Sequence, residues 1–316
     1  MTNEIMNAVL SLFLTGGGEN ALMKVTAVDD AGCAVSNAEV TVHALCKYYF
    51  GVGGRSSDWA EFKSRTDEEG RAAVRFKMYG SWFKWSVRAE EYYSPKQKDE
   101  YFHFRQNKDL TCTLLENERE ARAVLFRKRN PQPMYAYSVA SKLLPKRKGC
   151  FGFDLQVGDW VAPYGKGFTA DFNVNQGIDA QSNMFGKVEF PVGAGGYLGK
   201  KTDHAGFPTV YEADTNAAYR SVFEYMGTGA PTNRTSRGNV PIVERDEYLV
   251  LRTRVELDKD GKLKKANYAK IYGPFVIGDG IRMPEVIFND NVNDNNLELD
   301  NSKNKIKRFR SAGLRP

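Results

Sequence analysis

Residues 22–46 read LMKVTAVDDAGCAVSNAEVTVHALC, and their pattern decides the fold. Leu22, Met23, Val25, Ala27 and Val28 are set among polar neighbours, as in a half-buried strand. Asp29, Asp30 and Gly32 then make a turn, because aspartate caps its own backbone and glycine tolerates positive φ. Alternation resumes over 38–46, with Val40, Val42 and Ala44 on one face. Strand, tight turn and strand within 25 residues is how a sheet begins.

Further along, Thr66-Asp67-Glu68-Glu69-Gly70 is a second turn, and RAAVRFK (71–77) and FKWSVRA (83–89) read as strands. ARAVLFRK (121–128) reads as the last strand of this half. Short alternating runs between strong turn signals mark an antiparallel β-sandwich. Its expected inward residues are Val25, Val40, Val42, Val74, Val87 and Val124. Between the second and third of these runs lies an aromatic insert, 47–65, with Tyr48, Tyr49, Phe50 and Trp59 around Gly51, Gly53 and Gly54. The glycines, with Arg55, Ser56, Ser57 and Asp58, break the alternation. The insert is therefore expected outside the two sheets, as a loop or small hairpin that shows at least one of Tyr48, Tyr49 or Trp59 to solvent. These three rings are the candidate ligand-binding residues, for a glycan or another protein.

The order strand, DDAG, SNAEVTV, TDEEGRA, strand, WSVRAEEYY resembles the carboxypeptidase-regulatory-like group of transthyretin- and immunoglobulin-type sandwiches. The recurring parts are Ala38, Val40, Val42, Thr66, Asp67 and Gly70, over residues 22–128. They are structural motifs, and the resemblance implies a fold rather than an activity. The aromatic insert departs from it. The wording NPQPMYAY, GFDLQVGDWVAPYGKG, YAKIYGPF and NDNNLELD is similar to bacterial, exported two-domain proteins of unknown function.

The expected layout is a short N-terminal apolar segment (1–21), the sandwich (22–129), a connector (130–150), a second, mainly-β domain with at most one or two short helices (151–302) and a basic tail (303–316). Pro131, Pro133, Pro145 and the run Lys146-Arg147-Lys148 argue for the connector. EYLVLRTRVEL (247–257) and LKKANYAKIYGPFVI (263–277) are strands joined by the Asp258-Lys259-Asp260-Gly261 turn. Residues 211–225 are the best helical candidate. Ala8–Leu14 (AVLSLFL) reads either as a degenerate export signal or as a docking strand.

With 316 residues the chain suits two domains. Its net charge of +6 comes from 45 basic residues mixed with 39 acidic ones, and its basic runs are short, so no nucleic-acid partner is expected. No run reaches a membrane span. Cys33, Cys46, Cys112 and Cys150 include no CxxC pair; free thiols and paired cysteines both remain open. His43, His103 and His204 lack metal-ligand spacing or a GxSxG partner. The glycine clusters match no phosphate-binding pattern, and no cofactor is expected. Asp154, Asp159, Glu189, Glu212 and Asp214 are acids from which the sequence selects no hydrolytic pair. Asp290, Asn293 and Asp294 form a weak calcium candidate without the EF-hand glycine or terminal glutamate. The expected role is a non-enzymatic, extracytoplasmic binding or surface-structural protein, with oligomerisation open. A carbohydrate- or peptide-active hydrolase with its site in the second domain, and a virion or filament subunit, are the alternatives.

Overall fold

The computed structural model describes residues 19–51, 54–78, 82–93, 98–101, 104–106, 112–114, 117–146, 149–178, 184–200, 210–226 and 240–306. Side chains are described for these except at 47–51, 54–57, 98–114, 178, 184, 225–226 and 240. The chain is all-β, with a single 3-10 turn at Asn301–Lys303 as its described helical element. No helix among the described residues is long and apolar enough to cross a membrane. The chain divides into two compact units, Met1–Lys128 and Arg129–Pro316.

The first unit contains β1 (Glu19–Asp29), β2 (Glu39–Gly51), β3 (Gly54–Arg65), β4 (Arg71–Met78), β5 (Trp82–Arg88), β6 (Tyr92–Tyr93), β7 (Lys98–Tyr101), β8 (Phe104–Gln106), β9 (Cys112–Leu114) and β10 (Glu118–Arg127). One sheet runs β4-β1-β10-β6 and the other β3-β2-β5-β7, with β8-β9 a separate pair. Met23, Val25, Val40, Val42, Val74, Trp85, Val87 and Leu125 meet in one core between the two sheets. Strand β1 pairs antiparallel with β4 but parallel with β10, so the sandwich is not antiparallel throughout. Parallel neighbours need a long crossover, here the whole chain between Asp29 and Glu118.

Two expectations for this unit are corrected. Val124 is half-buried rather than inward; Ala123 and Leu125 fill the core, so the phase of β10 is one residue away. The insert is a hairpin and leaves Trp59 exposed, as expected, but it lies within a sheet rather than outside the two sheets. Strands β2 and β3 pair through it to Gly51↔Gly54, with one extra residue, Cys46, between the Leu45↔Trp59 and Lys47↔Asp58 pairs. Its thiol donates to the Lys77 carbonyl at 3.2 Å. Strand β5 accompanies β2 only from Glu39 to Ala44, and the hairpin runs on past it. A hairpin ladder is made by backbone groups and does not need alternating burial, which is why broken alternation misleads here.

The turns share one device. Asp29 Oδ1 accepts the amides of Ala31 and Cys33 at 3.0 and 2.8 Å. Asp67 Oδ1 accepts those of Glu69 and Arg71 at 3.1 and 2.7 Å, and Asp258 Oδ1 those of Asp260 and Lys262 at 2.9 and 2.8 Å. Three residues on, Gly32, Gly70 and Gly261 each take positive φ, near +80°. Buried Thr66 ties the second turn inward: its hydroxyl accepts the Ala38 amide at 2.8 Å and donates to the Val35 carbonyl at 2.7 Å.

The second unit contains β11 (Tyr135–Leu143), β12 (Cys150–Asp154), β13 (Asp159–Trp160), β14 (Phe172–Ile178), β15 (Met184–Glu189), β16 (Gly195–Lys200), β17 (Val222–Met226), β18 (Val240–Val243), β19 (Glu247–Leu257), β20 (Leu263–Tyr272), β21 (Phe275–Ile277) and β22 (Gly280–Asn289). A five-stranded sheet, β13-β12-β14-β15-β17, packs on a seven-stranded one, β16-β19-β20-β22-β21-β18 with β11 also on β22. Phe153 and Phe172 stack at 5.4 Å in the core between them, and Phe172 meets Phe275 at 5.9 Å. The far face of the larger sheet is covered too. Tyr268 packs with Val210 and Leu297, and Tyr272 with Met134 and Leu299. Burial on both faces explains why β20 is buried without alternation from Ala266 to Tyr272.

The expected connector contains a strand: β11, nine residues long, lies within 130–150 and pairs with β22 from Tyr135↔Phe288 to Leu143↔Gly280. Pro131 and Pro133 precede this strand and Pro145 follows it, so they bound it rather than break it. The helical candidate 211–225 forms no helix; it holds a turn at 215–217 and ends in strand. The Ala213 amide donates to Asn295 at 2.8 Å and the Leu297 amide to Tyr211 at 2.7 Å, and Val222–Met226 is β17. Pairing with the distant 295–297 segment overrides the modest helical spacing.

Candidate functional site

Between β12 and β14 the chain makes a long excursion, 155–171, whose backbone is held by three aspartates. Asp154 ends β12. Its Oδ1 accepts the amides of Gln156 and Val157 at 2.9 and 3.2 Å, and its Oδ2 those of Phe168 and Thr169 at 2.9 and 3.1 Å. One carboxylate thus closes both ends of the loop. Asp159 accepts its neighbour's amide (Trp160, 2.7 Å) and that of Lys166 at 3.2 Å, and it pairs with Lys142 at 2.6 Å. Asp171 Oδ2 accepts the Leu155 amide at 2.7 Å. Gly165 fits because a Cβ there would lie 2.3 Å from the Trp160 carbonyl oxygen.

Arg254 locks this arrangement from β19. Its Nε donates to Asp171 Oδ1 at 3.0 Å and its Nη2 to Asp154 Oδ1 at 2.8 Å, while Nη1 reaches Gln156 Oε1. The guanidinium lies 4.8 Å from the Phe288 ring centre. Arg254 takes a left-handed φ of +50° where β19 carries one residue more than β20, between Thr253↔Asn267 and Glu256↔Lys265. The bulge turns its side chain toward the loop.

The electrostatics follow from burial and partners. Burial alone would raise Asp154, but the amides of Phe168, Thr169 and Val157, with Arg254, outweigh it and hold the carboxyl below its usual value. Asp159 is lowered in the same way, with Lys142 as the main counterweight to burial. At Asp171 burial prevails over Arg254, and the carboxyl is raised. Burial also pushes the Tyr137 phenol far up; its hydroxyl donates to the Leu155 carbonyl at 2.6 Å.

What the loop presents is apolar. Phe168 is 87% exposed, Tyr164 45%, and Leu143 at the end of β11 70%. Tyr164 meets Phe151 edge-on at 5.2 Å, Trp160 donates its indole N–H to the Leu143 carbonyl at 2.8 Å, and Lys146 lies 5.6 Å from the Tyr164 ring. Large rings on a pinned backbone recognise a partner at low entropic cost.

The sites expected from sequence lie elsewhere. Trp59 is 41% exposed and sits edge-on to Trp82 at 4.8 Å. The side chains of Tyr48 and Tyr49 lie outside the described residues, as do His103 and His204. Asp290 pairs with Lys305. Asn293 Oδ1 accepts the Ala266 amide at 3.0 Å, and Asp294 accepts the Asn296 amide at 3.0 Å and the Asn289 side-chain amide at 3.1 Å. These oxygens stitch the 290–296 segment to β20 and β22. Among the described residues no group of three or more His, Cys, Asp or Glu could hold a metal ion. Among the acids considered for hydrolysis, Asp154 and Asp159 hold the loop, Glu189 pairs with Lys187 at 2.7 Å, and Asp214 caps the Asn216 amide at 2.9 Å.

Sequence reasoning missed Phe168, Tyr164 and Arg254. The run GDWVAPYGKGF, in which Tyr164 and Phe168 flank Gly165 and Gly167, is the signal that could have found the first two. Nothing local to Arg254 announces two aspartates some 80 to 100 positions away.

No protein-family model matches the sequence, and no curated protein matches it. Among solved structures, 3-chlorocatechol 1,2-dioxygenase from Rhodococcus opacus is 13% identical with a TM-score of 0.25, over 36% of this chain and 62% of the other. A streptococcal ancillary pilin is 11% identical with a TM-score of 0.21, over 67% and 60%. The major pilin BcpA of Bacillus cereus is 11% identical with a TM-score of 0.23, over 86% and 96%. The chain spans about three-fifths of the length of the first two. At these scores the likenesses carry no inference about function.

Proposed function

We propose that this is a non-enzymatic binding or surface-structural protein, acting outside the cytoplasm, whose second unit recognises a partner through the clamped loop 155–171. The observation that carries the reading is the contrast within that loop. Asp154, Asp159 and Asp171 are spent on holding backbone, while Phe168 and Tyr164 are held out to solvent. A catalytic carboxylate needs a free oxygen facing substrate; a recognition loop needs a fixed backbone and available rings. The extracytoplasmic setting rests on the resemblance of the stretches NPQPMYAY, GFDLQVGDWVAPYGKG, YAKIYGPF and NDNNLELD to exported two-domain proteins.

The test is a panel of immobilised glycans and polypeptides probed with the full chain and with Phe168→Asp. The proposal expects at least one member retained by the native chain and lost by the variant, with matching thermal unfolding. Identical retention of every member by both proteins refutes the loop as the binding site. Mass-spectrometric appearance of cleaved panel members would overturn the non-enzymatic reading.

A further inference from the structure

We infer that the partner of this loop is an acidic polypeptide segment carrying apolar side chains. The inference rests on the recognition role proposed above and specifies its chemistry. Lys146 is exposed 5.6 Å from the Tyr164 ring, Lys166 is exposed in the loop between Tyr164 and Phe168, and neither is paired with a carboxylate among the described residues. The loop's own acids cannot neutralise them. Asp154 and Asp171 are buried on Arg254, and Asp159 is paired with Lys142. In sequence, Lys146 continues into Arg147 and Lys148. Exposed rings with unpaired lysines beside them complement a segment with the opposite charge and its own apolar side chains.

The same geometry argues against a sugar. Glycan sites combine a ring with free hydrogen-bond acceptors for hydroxyl groups. Here Asp154, Asp159 and Asp171 accept loop amides or salt-bridge donors instead. Leu143 and Phe168 have no side-chain acceptor, and both are among the most exposed large apolar residues. Such a surface gains free energy by burying another apolar side chain, about 25 cal/mol for each Å² removed from water.

The full chain is titrated with three probes: a random copolymer of glutamate and tyrosine, poly-L-glutamate, and heparin. The expected result is binding of the copolymer that weakens as salt is raised. It should fall about ten-fold or more in Lys146→Glu/Lys166→Glu, by a change in charge complementarity, and comparably in Phe168→Ser, with unchanged melting in both variants. Poly-L-glutamate bound as tightly as the copolymer, and indifferent to Phe168→Ser, overturns the apolar half of the inference. Heparin bound while the copolymer is not overturns it in favour of an anionic glycan. If no probe binds while Phe168→Asp still loses a panel member, the partner chemistry is wrong and the recognition loop stands. If Phe168→Asp changes nothing anywhere, the loop reading fails first.

Discussion

Arg254 and Asp171 face each other across two sheets of the second unit, Nε to Oδ1 at 3.0 Å, with Asp171 fully buried. The same guanidinium takes Asp154, so one cation answers two carboxylates and fixes both ends of the loop between β12 and β14. The bulge that puts Arg254 there is a break in strand regularity that serves this contact.

Arg254→Met should destabilise the second unit by about 3 to 5 kcal/mol at neutral pH, because it leaves buried carboxylates without their partner. Asp171 already has a raised carboxyl, and losing Arg254 raises it further; such a group favours the fold below its ordinary pKa and loses that favour as pH rises through the folded value. Asp154 has a lowered carboxyl, a contribution present above the ordinary range that shrinks with Arg254 removed. Both signs make the deficit largest at neutral pH and smaller as acid protonates the pair. Denaturant midpoints of native and variant chains at neutral pH and near pH 4 check this; a gap that widens in acid contradicts it.

Gly70 and Gly32 take nearly the same φ, +74° and +85°, yet differ in surroundings. A Cβ at Gly70 would lie 2.4 Å from the Ala27 carbonyl oxygen, whereas one at Gly32 meets nothing within 4 Å. Gly32→Ala should cost about 1 kcal/mol, the left-handed penalty alone. Gly70→Ala should cost about 2 to 3 kcal/mol or more, since strain and a backbone clash combine. Equal losses in thermal melts would mean that the turn relaxes around the new methyl.

Thr66→Val keeps the shape of a buried side chain and removes its hydroxyl. The Ala38 amide and the Val35 carbonyl then lose their partner. The expected loss is about 2 to 4 kcal/mol, one to two for each stranded group. Thr66→Ser, which restores the hydroxyl, should recover most of it. Urea unfolding of the two variants separates the hydrogen bonds from packing.

Leu125→Ala and Val124→Ala compare the two phases of β10. Leu125 is fully buried and its truncation should cost about 2 to 5 kcal/mol. Val124 is half-buried on the other face, and its loss should stay below about 1 kcal/mol. A reversed order in calorimetric melts would mean that the strand pairs one residue out of register.

Local patterns were legible wherever a few neighbouring residues decide the outcome. Asp29 with Gly32, Asp67 with Gly70 and Asp258 with Gly261 announce turns because cap and glycine are three positions apart. The alternation of Val40, Val42 and Ala44 announces a strand because only the backbone period and one buried face are involved. Val124 was misplaced by that same logic: a run such as ARAVLF offers two phases, and only the packing of Ala123 and Leu125 selects one. Broken alternation correctly marks a hairpin with an exposed Trp59 but hides its place in the sheet, because the ladder depends on the facing strand and not on its own alternation.

The all-β class, the turns and most of the first core follow from periodicity and local backbone chemistry, which neighbouring residues supply. The parallel pairing of β1 with β10, the strand inside 130–150 and the clamp on loop 155–171 emerge only once the chain has folded. Each joins residues far apart in the chain, Val25 with Ala121, Tyr135 with Phe288, and Arg254 with Asp154. No window of neighbouring residues contains both partners. Whether Phe168 is buried or offered to solvent depends on which distant groups bind the backbone amides beside it.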